Sequence, residues 1–333
     1  MVNVLVTMPF SDRLLDPLRA VSPKLRITRA AADRADYSAT DVLYTGAPPR
    51  DLSRARGLKW VQVHMAGVNT LLDHPLYTDT SVLLTTTSGV HAATIAEYAI
   101  TVLLALAHRV PRMVEWQAKG TWPPDKDRWS LFVPTEMRGS TLGIIGYGSI
   151  GRELARIAKT AFGMTVLACK RDPSRREDSG YALPGTGDPE GELPDAWFSP
   201  EKVSELLAHS DAVVMCAPLT PETERMIGPA ELRAMKPSAY FVNVGRGATV
   251  DEAALARALA EKRIAGAAID VFAEEPPPAG HPLYQLDNVI VSPHVSGFLP
   301  SYDDRCVELF AENLRRYLAD APLLNLVDRA KGY

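Results

Sequence analysis

The sequence predicts an α/β protein built on two parallel sheets with helices packed on their faces. Three observations carry that prediction. The chain has 333 residues, beyond the length at which a single hydrophobic core stops growing. Short β-rich runs alternate with helical or turn segments, the pattern of parallel strands joined by crossovers. A long apolar helical stretch interrupts that alternation over residues 92–118 and the alternation then resumes, which makes two series of strands.

The first series comprises residues 2–7, 25–28, 42–45, 60–64 and 82–85. The helical stretch that follows has Glu97 early and Arg109 and Arg112 late, as the helix dipole favours, and Gly120 and Pro123 end it. It reads as one helix bridging into a second domain. The second series comprises 141–145, a helix over 149–161, then 166–169, 212–216, 239–244, 265–270 and 289–292. Six strands with crossovers are the count of a dinucleotide-binding sheet. A last helix over 301–318 has no further strand to feed, so it is expected to pack back on the first domain and make that domain discontinuous. Residues 178–196 crowd Gly, Pro and acids without periodicity and read as an exposed surface excursion. They lack the apolar residues that would make a lid over a site.

Composition narrows the function classes. Apolar residues at 46% and charged residues at 23% are ordinary for a globular protein. With 36 basic and 40 acidic side chains the net charge is −4, without a long run of either sign. That is no footprint for nucleic acid or an anionic membrane. Cys169, Cys216 and Cys306 are far apart, so neither a disulfide framework nor a metal site is expected and a cytoplasmic location fits. Residues 1–6 read as a first strand rather than a targeting segment, and the longest apolar run, 98–107, is too short to cross a bilayer.

The chemistry is concentrated in the second series. Gly146-Tyr147-Gly148-Ser149-Ile150-Gly151 follows an apolar strand and opens a helix. In that context the first glycine permits a tight turn, the second lets a pyrophosphate approach the backbone, and the third allows close helix packing. Helix-start amides then offer a phosphate site. At the end of the next strand an acid would accept hydrogen bonds from an adenosine ribose, but here Lys170 and Arg171 stand, with Asp172 after them and Arg175 and Arg176 beyond. Four cations at that place favour a 2′-phosphate, and so NADP(H) over NAD(H). The alternative is a solvated basic turn with Asp172 reaching the ribose.

Five blocks in order carry a family resemblance. They are the glycine motif, the loop Ala217-Pro218-Leu219-Thr220-Pro221-Glu222-Thr223, Val242-Asn243-Val244-Gly245-Arg246-Gly247, residues 268–276 ending in Glu275-Pro276, and Ser292-Pro293-His294-Val295-Ser296-Gly297. The chain resembles the D-isomer-specific 2-hydroxyacid dehydrogenases, of the glyoxylate/hydroxypyruvate reductase kind, over nearly its whole length. The resemblance implies a Rossmann dinucleotide-binding domain, 98–295, inserted into a discontinuous flavodoxin-like substrate-binding domain, 1–97 and 296–333. It implies that Arg246 holds the substrate carboxylate and polarises its carbonyl, that His294 exchanges the proton, and that Glu275 orients the imidazole. Asp270, Ala217, Pro218, Thr223, Val244 and Gly245 then line the cofactor, with His294 beside its nicotinamide end, and the backbone of Ala66, Gly67 and Val68 receives the substrate carboxylate. Tyr44, Met65, Trp129, Phe298 and Tyr302 are candidates for the side-chain pocket. The strand ends at Val244, Asp270 and Ser292 would bring the three catalytic candidates to one sheet edge.

The implied reaction is reduction of a small 2-keto acid to the D-2-hydroxy acid, in a homodimer, with small-molecule substrates and neither nucleic acid nor membrane as partner. The same fold also serves dinucleotide-sensing corepressors and phosphite or formate dehydrogenases. Formate enzymes carry Gln where Glu275 stands, which weighs against them.

Overall fold

The computed structural model describes residues 1–79 and 81–332. In chain order the first elements are β1 (Val2–Val6), α1 (Asp12–Arg19), β2 (Leu25–Arg29), β3 (Val42–Thr45), β4 (Trp60–Val63), α2 (Pro75–Thr78) and β5 (Leu83–Thr85). Next come α3 (Ala92–Ala107), α4 (Val110–Ala118), α5 (Asp125–Phe132), β6 (Thr141–Ile145), α6 (Ser149–Phe162), β7 (Thr165–Cys169), β8 (Ala196–Phe198), α7 (Val203–His209) and β9 (Ala212–Met215). The last are α8 (Pro229–Ala234), β10 (Tyr240–Asn243), α9 (Glu252–Ala260), β11 (Gly266–Ile269), β12 (Val289–Val291) and α10 (Tyr302–Leu318).

The chain divides into two units. The first contains Met1–His91, Ser179–Leu183 and Leu299–Tyr333; the second contains Ala92–Asp178 and Pro184–Phe298. In the first, five parallel strands lie in the order β2-β1-β3-β4-β5, the flavodoxin-like order. Alternate residues face opposite ways, as a strand requires. Val4, Val6, Val42, Tyr44 and Trp60 form one core with α1 and the Phe310 face of α10, and Leu5, Leu43, Val61, Val63 and Leu84 form the other. The last helix does pack on the first unit.

In the second unit seven parallel strands run β12-β11-β10-β9-β6-β7-β8, the Rossmann order with one added edge strand. Ile144, Val214, Val242 and Ala268 face α3 and α6, while Ile145, Met215, Phe241 and Ile269 face α7, α8 and α9. Both faces are covered, which is why these strands are apolar throughout rather than alternating.

The structure departs from the expectations at four places. The stretch 92–118 is two helices, bent by 66°. Arg109 takes a left-handed φ of 59° at the break, and Pro111 sits in the first turn of α4, where its missing N–H costs nothing. The division falls at His91/Ala92 and Phe298/Leu299 rather than at 97/98 and 295/296, because Ala96, Ala99 and Leu103 of α3 are all in the core against α6. Strand β8 has no counterpart among the expected runs: it has three residues and follows the Gly/Pro-rich excursion, so it has no period to read. The excursion itself is tied down, with Tyr181 packed in the first unit's core and its N–H donating to Asn325 Oδ1 at 3.0 Å. No single helix among the described residues is long and apolar enough to cross a membrane.

Candidate active site

The glycine turn is built by steric necessity. Gly146 has φ +99°, and a Cβ there would lie 2.6 Å from the Ala217 nitrogen; one on Gly151 would lie 2.4 Å from the Gly146 carbonyl oxygen. Gly148 is different, with nothing within 4 Å of such a Cβ. The outer two glycines therefore serve packing, and the middle one leaves open space where α6 begins. The half-exposed Ser149 and Ile150 start that helix, so its first amides and its dipole face a cradle suited to phosphates. The cradle lies at the switch point of the sheet, with β7 and β8 on one side of β6 and β9 to β12 on the other. On the β9 side Thr223 Oγ1 donates to Pro218 O at 2.6 Å and accepts from Thr220 N at 2.8 Å, which closes the 217–223 loop on itself. Val244 is buried, and a Cβ on Gly245 would lie 2.8 Å from Ala217 O, so the β10 loop abuts that loop.

Tyr147 is placed otherwise than its motif position suggests. Its ring is buried edge-on to Trp197, and its hydroxyl donates to Asp188 Oδ2 at 2.6 Å. Burial and the Asp188 carboxylate push its pKa well up. Asp188 belongs to the excursion, is itself buried, and also accepts from Glu192 N at 3.0 Å and Leu193 N at 3.1 Å. Buried Arg152 of α6 stacks over the Tyr147 ring, donates to the carbonyls of Asp188 and Arg176, and pairs with Asp178 at 3.2 Å. The excursion is thus a buttress for the glycine turn, through residues too distant in sequence to signal it.

The basic end of β7 is largely engaged. Lys170 Nζ donates to Arg175 O, and burial, with Arg152 nearby, lowers its pKa. Arg171 pairs with Glu222 at 3.1 Å. Asp172 accepts from Ser174 N at 3.1 Å and Ser174 Oγ at 2.6 Å, so its carboxylate caps its own turn. Arg175 lies 3.8 Å from Asp172, and Arg176 covers the Trp197 ring.

Arg246, Glu275 and His294 follow β10, β11 and β12, three adjacent strands. His294 Nδ1 lies 2.7 Å from Glu275 Oε2, and Glu275 Oε1 accepts from Phe272 N at 3.0 Å. A carboxylate accepts only, so Nδ1 carries the hydrogen and the imidazole can act through Nε2. The His294 side chain is 49% exposed, open enough for a ligand. Its backbone has φ +55°, and its N–H donates to the Asp270 carbonyl at 2.8 Å. Asp270 is buried and accepts from Ser292 Oγ at 2.6 Å, Val295 N at 2.9 Å and Ser296 N at 3.0 Å. The Tyr98 hydroxyl of α3 bonds Ser292 in turn. Asp270 therefore shapes the loop that presents His294. Ser292 and Tyr98 lie 194 positions apart, and no local pattern links them.

Arg246 is half-buried and donates from Nη1 to Gly245 O at 2.7 Å. Burial presses its pKa down and Glu275 offsets part of that. A Cβ on the next residue, Gly247, would fall 1.9 Å from the Phe272 carbonyl carbon, so the Arg246 and Glu275 loops pack backbone to backbone. Arg246, Glu275, His294 and Asp270 are thereby brought together. In the first unit, Ala66 and Gly67 are half-exposed after β4 while the Val68 side chain is in the core. Of the pocket candidates, Tyr44 is fully buried and Trp129 and Phe298 are exposed.

A family model described as D-isomer specific 2-hydroxyacid dehydrogenase, NAD binding domain, matches residues 100–296. The chain belongs to the D-isomer specific 2-hydroxyacid dehydrogenase family. The glyoxylate reductase of Korarchaeum cryptofilum is 39% identical over 254 residues, 76% of this chain and 71% of that one. The glyoxylate reductase of Aeropyrum pernix is 36% identical over 295 residues, 87% and 83% of the two chains. Among solved structures, the D-isomer specific 2-hydroxyacid dehydrogenase of Xanthobacter autotrophicus Py2, in complex with NADPH and MES, superposes with a TM-score of 0.80 at 29% identity, covering 100% of this chain and 99% of that one. The matched span of this dehydrogenase holds the glycine turn, Arg246, Glu275 and His294, and the open space at Gly148 fits the dinucleotide that the family binds.

Proposed function

We propose that this dehydrogenase reduces a small 2-keto acid, glyoxylate or hydroxypyruvate, to the D-2-hydroxy acid, using NADP(H) in preference to NAD(H). The observation that carries this reading is the His294–Glu275 pair at 2.7 Å, with Arg246 under the influence of the same carboxylate. The relatives named glyoxylate reductases, and the NADPH held by the Xanthobacter protein, support the substrate and the cofactor.

The bound dinucleotide supplies the hydride. The backbone amides at Ser149 and Ile150, opened by Gly148, would hold its phosphates, and Arg171, with Lys170 beside it, would meet a 2′-phosphate. Arg175 lies next to them. The Asp172 carboxylate, the acid nearest the end of β7, is held within its own turn by Ser174 rather than offered to a ribose.

Arg246 presents a planar fork of fixed charge that holds the substrate carboxylate and polarises the keto oxygen. His294 delivers a proton from Nε2 to that oxygen, while Glu275 holds Nδ1–H and keeps the ring in its working orientation. Asp270 fixes the loop that carries the imidazole, beside Val244 and Gly245. In the first unit the backbone of Ala66, Gly67 and Val68 is the proposed carboxylate-binding segment. The proposed assembly is a homodimer, supported by the exposed apolar side chains of α4 and the α5 region, Met113, Val114, Trp122 and Trp129.

The test is the initial rate of NADPH and NADH oxidation at matched concentrations with glyoxylate, hydroxypyruvate and phenylpyruvate. Fast NADPH-dependent reduction of either small acid is the expected result. No reduction of any keto acid with either cofactor would overturn the reading.

A further inference from the structure

Arg171 follows β7 and Glu222 lies in the loop after β9, and β6 lies between those two strands in the sheet. Their 3.1 Å contact therefore crosses the carboxyl end of β6, where the glycine turn begins. Strands two apart are separated by about 10 Å, so the pair is a bridge over the dinucleotide cradle rather than a contact between neighbours. The Arg171 and Glu222 side chains are 35% and 62% exposed. Such a pair is weak and readily exchanged. The other cations nearby have contacts of their own: Lys170 with the Arg175 carbonyl, Arg175 beside Asp172, and Arg176 on the Trp197 ring of β8.

We propose that Glu222 is a cofactor-selectivity residue, which holds Arg171 across the end of β6 and yields it to the 2′-phosphate of a bound dinucleotide. A phosphate accepts both arms of a guanidinium and carries more charge than a carboxylate, so it displaces Glu222. A dinucleotide lacking that phosphate leaves the bridge intact and gains nothing from Arg171. Glu222 thus weakens binding of the phosphorylated cofactor only and moderates the preference that Arg171 confers. This rests on the NADP(H) reading above.

The experiment is calorimetric titration of the full chain with adenosine 2′,5′-bisphosphate and with 5′-AMP, neither of which requires turnover. Removing the competitor in Glu222→Gln should tighten the bisphosphate by about two- to fivefold and leave 5′-AMP unchanged. Arg171→Ala should weaken the bisphosphate by about tenfold or more, again without effect on 5′-AMP. Adding Glu222→Gln to Arg171→Ala should then give no gain, because the competition has been removed. Glu224→Gln, which deletes the same charge two residues away, separates exchange from general electrostatics and should have a smaller effect than Glu222→Gln. If Arg171→Ala weakens the bisphosphate but Glu222→Gln does not tighten it, or Glu224→Gln tightens it equally, the role of Glu222 is overturned and the NADP(H) reading stands. If the wild type binds both ligands equally and Arg171→Ala changes neither, both fall.

Discussion

His294 follows β12 at the carboxyl end of the second unit's sheet, and His64 follows β4 at the carboxyl end of the first, each with an acid against its ring. Glu275 is 2.7 Å from His294 Nδ1, and Asp303 is 3.3 Å from His64 Nε2. The difference lies in the remaining nitrogen. His64 Nδ1 is bonded to the Tyr44 hydroxyl at 2.7 Å, and Phe10, Tyr44 and Tyr302 surround the ring, leaving its side chain 11% exposed. His294 is 49% exposed, and among the described residues its ring is paired through Nδ1. An acid against a ring nitrogen therefore occurs in two environments, a half-exposed ring at His294, proposed above to transfer the proton, and a buried ring at His64.

The comparison can be broken most directly at His294. His294→Ala should lower kcat by about 10²–10⁴-fold, the usual weight of general acid catalysis, with NADPH affinity retained in a fluorescence titration. A wild-type rate would remove the distinction between the two histidines. Gly247→Ala sharpens it from the side of scaffolding, since the new methyl would collide with the Phe272–Ala273 backbone. It should destabilise the protein by about 1–3 kcal/mol or more, read as a lower thermal midpoint. Asp188→Ala strips the Tyr147 hydroxyl and two backbone amides of their acceptor and should cost about 1–3 kcal/mol; an unchanged midpoint would show the excursion to be no buttress.

The smallest effect belongs to His64. Burial lowers its pKa, against the pull of Asp303. The unfolded chain therefore binds more protons than the folded one just below the ordinary histidine value of 6.5, and stability falls as pH drops below it. His74, also lowered by burial, acts in the same direction. His64→Gln should flatten the dependence of the thermal midpoint on pH in that range while leaving turnover far less affected than His294→Ala does. An unaltered slope would mean that His64 is not the titrating tether.

Much of the scaffold was legible because strand periodicity is a local property. All five strands of the first sheet and six of the seven in the second fall where β-rich runs stand, and the excess of apolar residues on both faces follows from helices covering both. The α3–α4 break falls at Pro111, but Arg109 and Arg112 on either side of it read equally well as the basic end of one long helix. The excursion read as surface because its buried polar residues, Asp188 above all, look like any acidic loop until Tyr147 and Arg152 are folded against them.

Local sequence was enough to set the two series of strands, the glycine turn after β6, and the strand ends from which Arg246, Glu275 and His294 emerge, since each of these depends on neighbours within a few residues. Three features were settled by packing alone: which histidine is exposed, the anchoring of Asp270 through Ser292 and Tyr98, and the meeting of Arg171 with Glu222 across β6. Those contacts join residues from 22 to 194 positions apart. Burial and hydrogen-bond pairing at such separations follow from strand order and the docking of helices on the sheet, which no local pattern of residues encodes.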